Sequence, residues 1–67
     1  MIAVHINGDS AELPQPMTVA ALLEGRGLAG KRVAVEKNGE IVPKSQHAAV
    51  VVAAGDHIEI VVAVGGG

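Results

Sequence analysis

His57-Ile58-Glu59-Ile60-Val61-Val62-Ala63-Val64 decides the fold, and it runs directly into Gly65-Gly66-Gly67. Successive side chains on a strand point to opposite faces. Ile58, Ile60, Val62 and Val64 therefore share one face, which we assign to the core. Glu59, Val61 and Ala63 share the other, which Glu59 marks as open to solvent. The first residues of the chain read the same way: in Met1 to Ile6, Ile2, Val4 and Ile6 point one way and Ala3 and His5 the other. These are the two most apolar strands, and their composition places both at the centre of one sheet. If they are neighbours and parallel, the crossover between them should be right-handed.

The rest of the chain fits around that pair. Asn7-Gly8 and Asn38-Gly39 are hairpin signals, because both central residues of a type I′ turn need positive φ. Ser10 to Leu13 returns from the first turn and is stopped by Pro14 and Pro16, which cannot donate to a ladder. Thr18 is an N-cap for a short helix over residues 18–26, with Val19, Leu22 and Leu23 on its apolar face. Gly27 is its left-handed stop. Val33 to Lys37 and Glu40 to Val42 form the second hairpin, which Pro43 ends. Lys44 to His47 reads as a loop or a single helical turn. Ala48 to Ala54 is apolar but alanine-rich, and pattern alone fits strand or helix. Asp56 sets the turn before the last strand. The class is α+β: a mixed sheet of four or five strands with one main helix packed on one face, the β-grasp arrangement. Residues 1–64 form one domain and residues 65–67 a flexible glycine tail.

Composition removes several functions. With 67 residues, the chain has a marginal core and little room for a deep pocket. The hydrophobic share is 49% with no Phe, Trp or Tyr, so the core is aliphatic and base stacking is absent. A formal charge of −2 argues against nucleic acid, which needs a basic face. The absence of cysteine removes disulfides, thiolate catalysis and cysteine metal sites. There is no leader and no apolar run of membrane length, so a cytoplasmic protein without a membrane span is expected. His5, His47 and His57 read as surface residues, not metal ligands. Arg26, Lys31 and Arg32 form a basic cluster, either a solvated loop or a contact for an acidic partner.

The glycine end carries the chemistry. At an average glycine frequency of roughly 7%, three in a row at a given end arise about once in three thousand chains. Glycine has no Cβ to widen a peptide thread or restrict its φ. Three extended residues reach roughly 10 Å, enough to carry a terminal carboxylate into a narrow channel. That carboxylate is ionised at neutral pH and acylates poorly. It must first become a mixed anhydride, most simply by attacking the α-phosphate of ATP. The charge of that step needs metal and cationic groups, and the chain has no phosphate loop or metal cluster. Another protein must therefore activate it. Ala3, His5, Val61 and Ala63 share the outer sheet face and would make a weakly polar patch beside the tail. We take it as a partner-docking face, although small apolar residues on an open sheet also need no special explanation.

The Asn7-Gly8 hairpin, Thr18-Val19 before Leu22-Leu23, Val33-Ala34-Val35 through Asn38-Gly39-Glu40-Ile41-Val42-Pro43, Gly55-Asp56-His57-Ile58-Glu59-Ile60 and the glycine end together resemble the ThiS-type sulfur carriers of thiamine biosynthesis, which are small ubiquitin-like β-grasp proteins. The resemblance covers the whole chain. It implies a carrier, not an enzyme, that binds no cofactor itself. Gly67 would be adenylylated by a ThiF-type adenylyltransferase using ATP and Mg. It would then become a thiocarboxylate, with sulfur from a persulfide made by a cysteine desulfurase or related enzyme. The recipient would be a ThiG-type thiazole synthase. The family pattern ends in two glycines, here matched to Gly66-Gly67, and Gly65 lengthens the thread that enters the partner. The small subunit of molybdopterin synthase and ubiquitin-like protein modifiers look similar and stand as alternatives.

Overall fold

The computed structural model describes residues 1–63. Its main sheet has five strands: β1 (Ile2–Ile6), β2 (Asp9–Leu13), β4 (Val33–Lys37), β5 (Glu40–Val42) and β7 (His57–Val62), in the order β2-β1-β7-β4-β5. Helix α1 (Val19–Gly25) covers one face. Two short strands, β3 (Met17–Thr18) and β6 (Val51–Val52), pair separately. As the apolar pattern implies, β1 and β7 lie side by side and parallel, with His5 opposite His57 and Ile6 opposite Ile58. On its other side β7 runs antiparallel to β4, from Lys37↔Ile58 to Val33↔Val62. The tail-bearing strand is therefore the middle strand of the five.

Both Asn-Gly turns form as read. Asn7 has φ +52° and Gly8 +86°, and Asn38 has +52° and Gly39 +85°. Asparagine tolerates the left-handed region better than other Cβ-bearing residues do. The core is aliphatic: Val4, Ile6, Leu13, Val19, Leu22, Leu23, Val35, Val42, Val52, Ile58 and Ile60 are buried together.

The helix is one short element of seven residues with well-made ends. Val19 N–H donates to Val50 O (2.9 Å) and Ala20 N–H to His47 O (2.8 Å). Ala21 N–H donates to Thr18 Oγ1 at 3.1 Å. Three of the first-turn donors that a helix leaves without intrahelical partners are thus satisfied. At the other end Gly27 (φ +74°) sends its N–H to Glu24 O (3.1 Å), and Leu28 sends its N–H to Leu23 O (2.8 Å). That is the Schellman pattern, with Leu28 packed against the core.

Two expectations are corrected, and one segment left open between strand and helix is settled. His47 is not a surface residue: it is 8% exposed, and its ring Nε2 lies 3.1 Å from Val42 O. A carbonyl only accepts, so Nε2 carries the proton. His47 thus ties the helix start, through its own carbonyl, to β5. The Ala48 to Ala54 segment resolves into loop plus the two-residue β6, paired Met17↔Val52 and Thr18↔Val51. Finally, β7 ends at Val62 rather than Val64, and Val62 is 40% exposed because only β4 flanks it there. Ala63 N–H still donates to Arg32 O at 3.0 Å. Val64 and Gly65 to Gly67 lie outside the described residues.

Candidate functional site

The candidate site is the far end of β7, on the side of the chain's glycines. Three sets of contacts hold the strand that ends there. On one flank is β1, on the other β4. The third is the side chain of Asn7. Its Oδ1 accepts from Ile60 N–H at 2.7 Å and its Nδ2 donates to Ile60 O at 3.2 Å. Beyond Ile6 the backbone of β1 turns away, and the Asn7 amide continues the ladder in its place. Asn38 does the equivalent at the strand's start. Its N–H donates to His57 O at 2.7 Å, and its Oδ1 accepts from His57 N–H at 2.8 Å.

Asp56 locks the turn that feeds β7. Its carboxylate accepts from Ala53 N–H (2.8 Å) and Asn38 Nδ2 (3.0 Å), and Lys37 Nζ lies 3.7 Å away. Burial by itself would raise the Asp56 pKa. The hydrogen bonds from Ala53 and Asn38 and the Lys37 charge outweigh it, so the group sits below its ordinary value of 3.8.

The expected docking residues do share the outer face, but the register separates them. Val61 is 63% exposed and lies opposite Ala34 of β4; Ala63 follows it. Ala3 and His5 sit at the other end. Gly55 N–H donates to Ala3 O at 2.8 Å, and His5 faces His57, their rings stacked 4.4 Å apart and 9° from parallel. Val61 lies four residue steps along the strand from His57, about 13 Å at strand rise. The single patch of four is therefore two patches: Ala34, Val61 and Ala63 beside the exit, and the histidine pair with Ala3 remote from it. The reason is that β1 meets only the first half of β7. Ala34 was missed by the sequence reading. Its outward parity was legible, but nothing in the sequence states that β4 is the strand beside Val61.

Gly65, Gly66 and Gly67 lie outside the described residues, so the exit, not the thread, is what the geometry defines. Among the described residues no three His, Cys, Asp or Glu side chains converge on a point, and no helix is long and apolar enough to cross a membrane.

Comparison with known proteins follows the same lines. The model of the ThiS family matches residues 4–67. A thiazole synthase of Paramagnetospirillum magneticum is 52% identical over 62 residues, covering 92% of this chain and 19% of that protein. A thiazole synthase of Magnetococcus marinus is 39% identical over 64 residues, covering 96% of this chain and 20% of that protein. The chain thus spans about a fifth of the length of these relatives. The crystal structure of the thiamine biosynthesis protein ThiS from Geobacter metallireducens superposes with a TM-score of 0.85 at 29% identity, covering 98% of this chain and all of that one. Its solution structure gives 0.79 at the same identity, covering 98% and 88%. With a family match running from the first strand through the glycines and a solved relative of the same ubiquitin-like β-grasp architecture, this chain belongs to the ThiS family.

Proposed function

We propose that this chain carries sulfur as a thiocarboxylate on Gly67. The carboxylate oxygen attacks the α-phosphorus of ATP in the active site of an adenylyltransferase of the ThiF type, and pyrophosphate leaves. The terminal sulfur of a protein persulfide then attacks the acyl carbon and AMP leaves. A thiol then attacks the donor protein's sulfur in the resulting acyl disulfide, forming a disulfide with that protein while the S–S bond to the acyl group breaks and the thiocarboxylate leaves. The chain supplies no catalytic group to these steps. It supplies a thread without side chains, Gly65-Gly66-Gly67, hung from the central strand. The exit patch of Ala34, Val61 and Ala63 is the surface a partner covers while the thread is inside it.

The observation that carries this reading is the family match, which runs to residue 67 and so includes the glycines. A stretch like this chain makes up about a fifth of two thiazole synthases, which supports a ThiG-type synthase as the recipient over the molybdopterin route. The test is incubation with ATP, Mg, the adenylyltransferase and a persulfide donor, followed by intact mass. Exchange of oxygen for sulfur adds about 16 Da to the chain. Adducts on lysines would instead make it a protein modifier, and an unchanged mass would refute the carrier reading. Thiazole formation with thiazole synthase, set against conversion with the large molybdopterin synthase subunit, then identifies the recipient.

A further inference from the structure

An apolar groove of about 610 Å³ lies where β4 begins and β7 ends. Ala20 and Leu23 of the helix, Leu28 of the following loop, and Val61 line it. Its charged lining is one-sided: Lys31, Arg32 and Lys44 against Glu24 alone. The chain has five Lys and Arg residues and a net charge of −2. Three of the five therefore gather at this one apolar surface of an acidic molecule. Among the described residues the ion pair is Lys37 with Asp56, at the other end of β4 from this loop.

The groove's volume falls within the range of about 300–1,000 Å³ typical of small-molecule sites, but such sites also need a few convergent polar groups to orient a ligand. Here the buried polar side chain is His47, and its Nε2 is already bonded to Val42 O. No buried side-chain N or O atom of the described residues lacks a partner. What remains is a greasy trough with a cationic rim. That combination suits a peptide segment: apolar side chains give the affinity, and flanking carboxylates set orientation and encounter rate.

We propose that this groove docks a segment of a partner protein that presents apolar side chains flanked by acidic residues. The site is separate from the glycine thread and does not depend on what the thread carries. It takes in the whole exit patch, since Ala34, Val61 and Ala63 all line it, and so extends the partner surface of the proposed function toward the helix and the basic loop. A partner seated in the groove would therefore hold the chain right beside the exit.

The experiment titrates the isotope-labelled chain with a capped peptide of two leucines flanked by glutamates and follows backbone amides by NMR. The control peptide has lysines in place of the glutamates. The expected result is saturable shifts at Leu28, Lys31, Arg32 and Ala48, with no matching response to the control. The double variant K31E/R32E, both positions being exposed loop residues, should bind about tenfold more weakly, with its amide spectrum otherwise retained. Affinity of the unaltered chain should also fall as salt shortens the screening length. Absence of saturable shifts, equal binding of the lysine peptide, or unchanged affinity in K31E/R32E would each overturn the proposal. So would concentration-dependent shifts of the peptide-free chain at both the groove and the exposed Ile41 corner, because the occupant would then be a second copy.

Discussion

Asn7 and Asn38 each do two things at once. Each takes the left-handed φ that its turn demands, and each turns its side-chain amide onto the backbone of β7. Only the first role could be seen in the sequence, because Asn-Gly is a local signal. The second needs a partner 53 residues away in the case of Asn7 and Ile60, and no dipeptide encodes that. The two roles separate experimentally. Asn7→Gly keeps the turn and removes both bonds to Ile60, so it should cost about 1–2 kcal/mol in urea unfolding. A larger loss in Asn7→Ala would report the added strain of placing alanine at φ +52°. Asp56 gives a pH signature. Its folded pKa is lowered, so its contribution is fully present above its unfolded value and is lost as pH falls through the lower folded value. Asp56→Asn should be less stable than the parent at pH 7 and should lose less of its stability below about pH 4. Parallel acid-limb melting curves of the two proteins would refute this.

Among the elements, the longer strands and the helix were legible because each carries a period: two for β1, β4 and β7, and helical spacing for Val19, Leu22 and Leu23. The pair β3 and β6 was not, since two residues carry no period at all. Their existence follows from the helix, whose first N–H groups need the carbonyls of His47 and Val50. His47 was misjudged for a related reason. A histidine flanked by Gln46 and Ala48 looks like a loop residue, and only the packing of that loop under the helix start buries it. The outer face of the sheet also carries an unfavourable pair: Glu36 lies directly opposite Glu59, with both exposed. Like charges so placed are destabilising. Glu59→Lys should raise stability by about 0.2–1 kcal/mol, measurable as an increase in melting temperature that shrinks in high salt.

At the scale of the molecule, the pairing of β1 with β7 followed from where the apolar residues concentrate, but β4 as the other neighbour of β7 and the register did not. That register moves Ala3 and His5 away from the exit and puts Ala34 beside Val61. Val61 is exposed and contributes nothing to the buried core, so Val61→Asp should change the unfolding free energy by less than about 0.5 kcal/mol. The same change should weaken capture by the adenylyltransferase, seen as a raised KM for the carrier with kcat little altered. A His5→Asp variant should leave that KM unchanged, and an equal effect of both variants would restore a single large patch.

The position of β7 also has a mechanical consequence. Under the proposed function, an enzyme that drew the glycines into its interior would load this strand along its length. The backbone bonds to β1 and β4 run across that direction, so the load would fall on all of them together instead of opening them one after another like a zipper. A tug on the thread would therefore be borne by the sheet as a whole, so that the body could be hauled up to an active-site mouth without being unravelled.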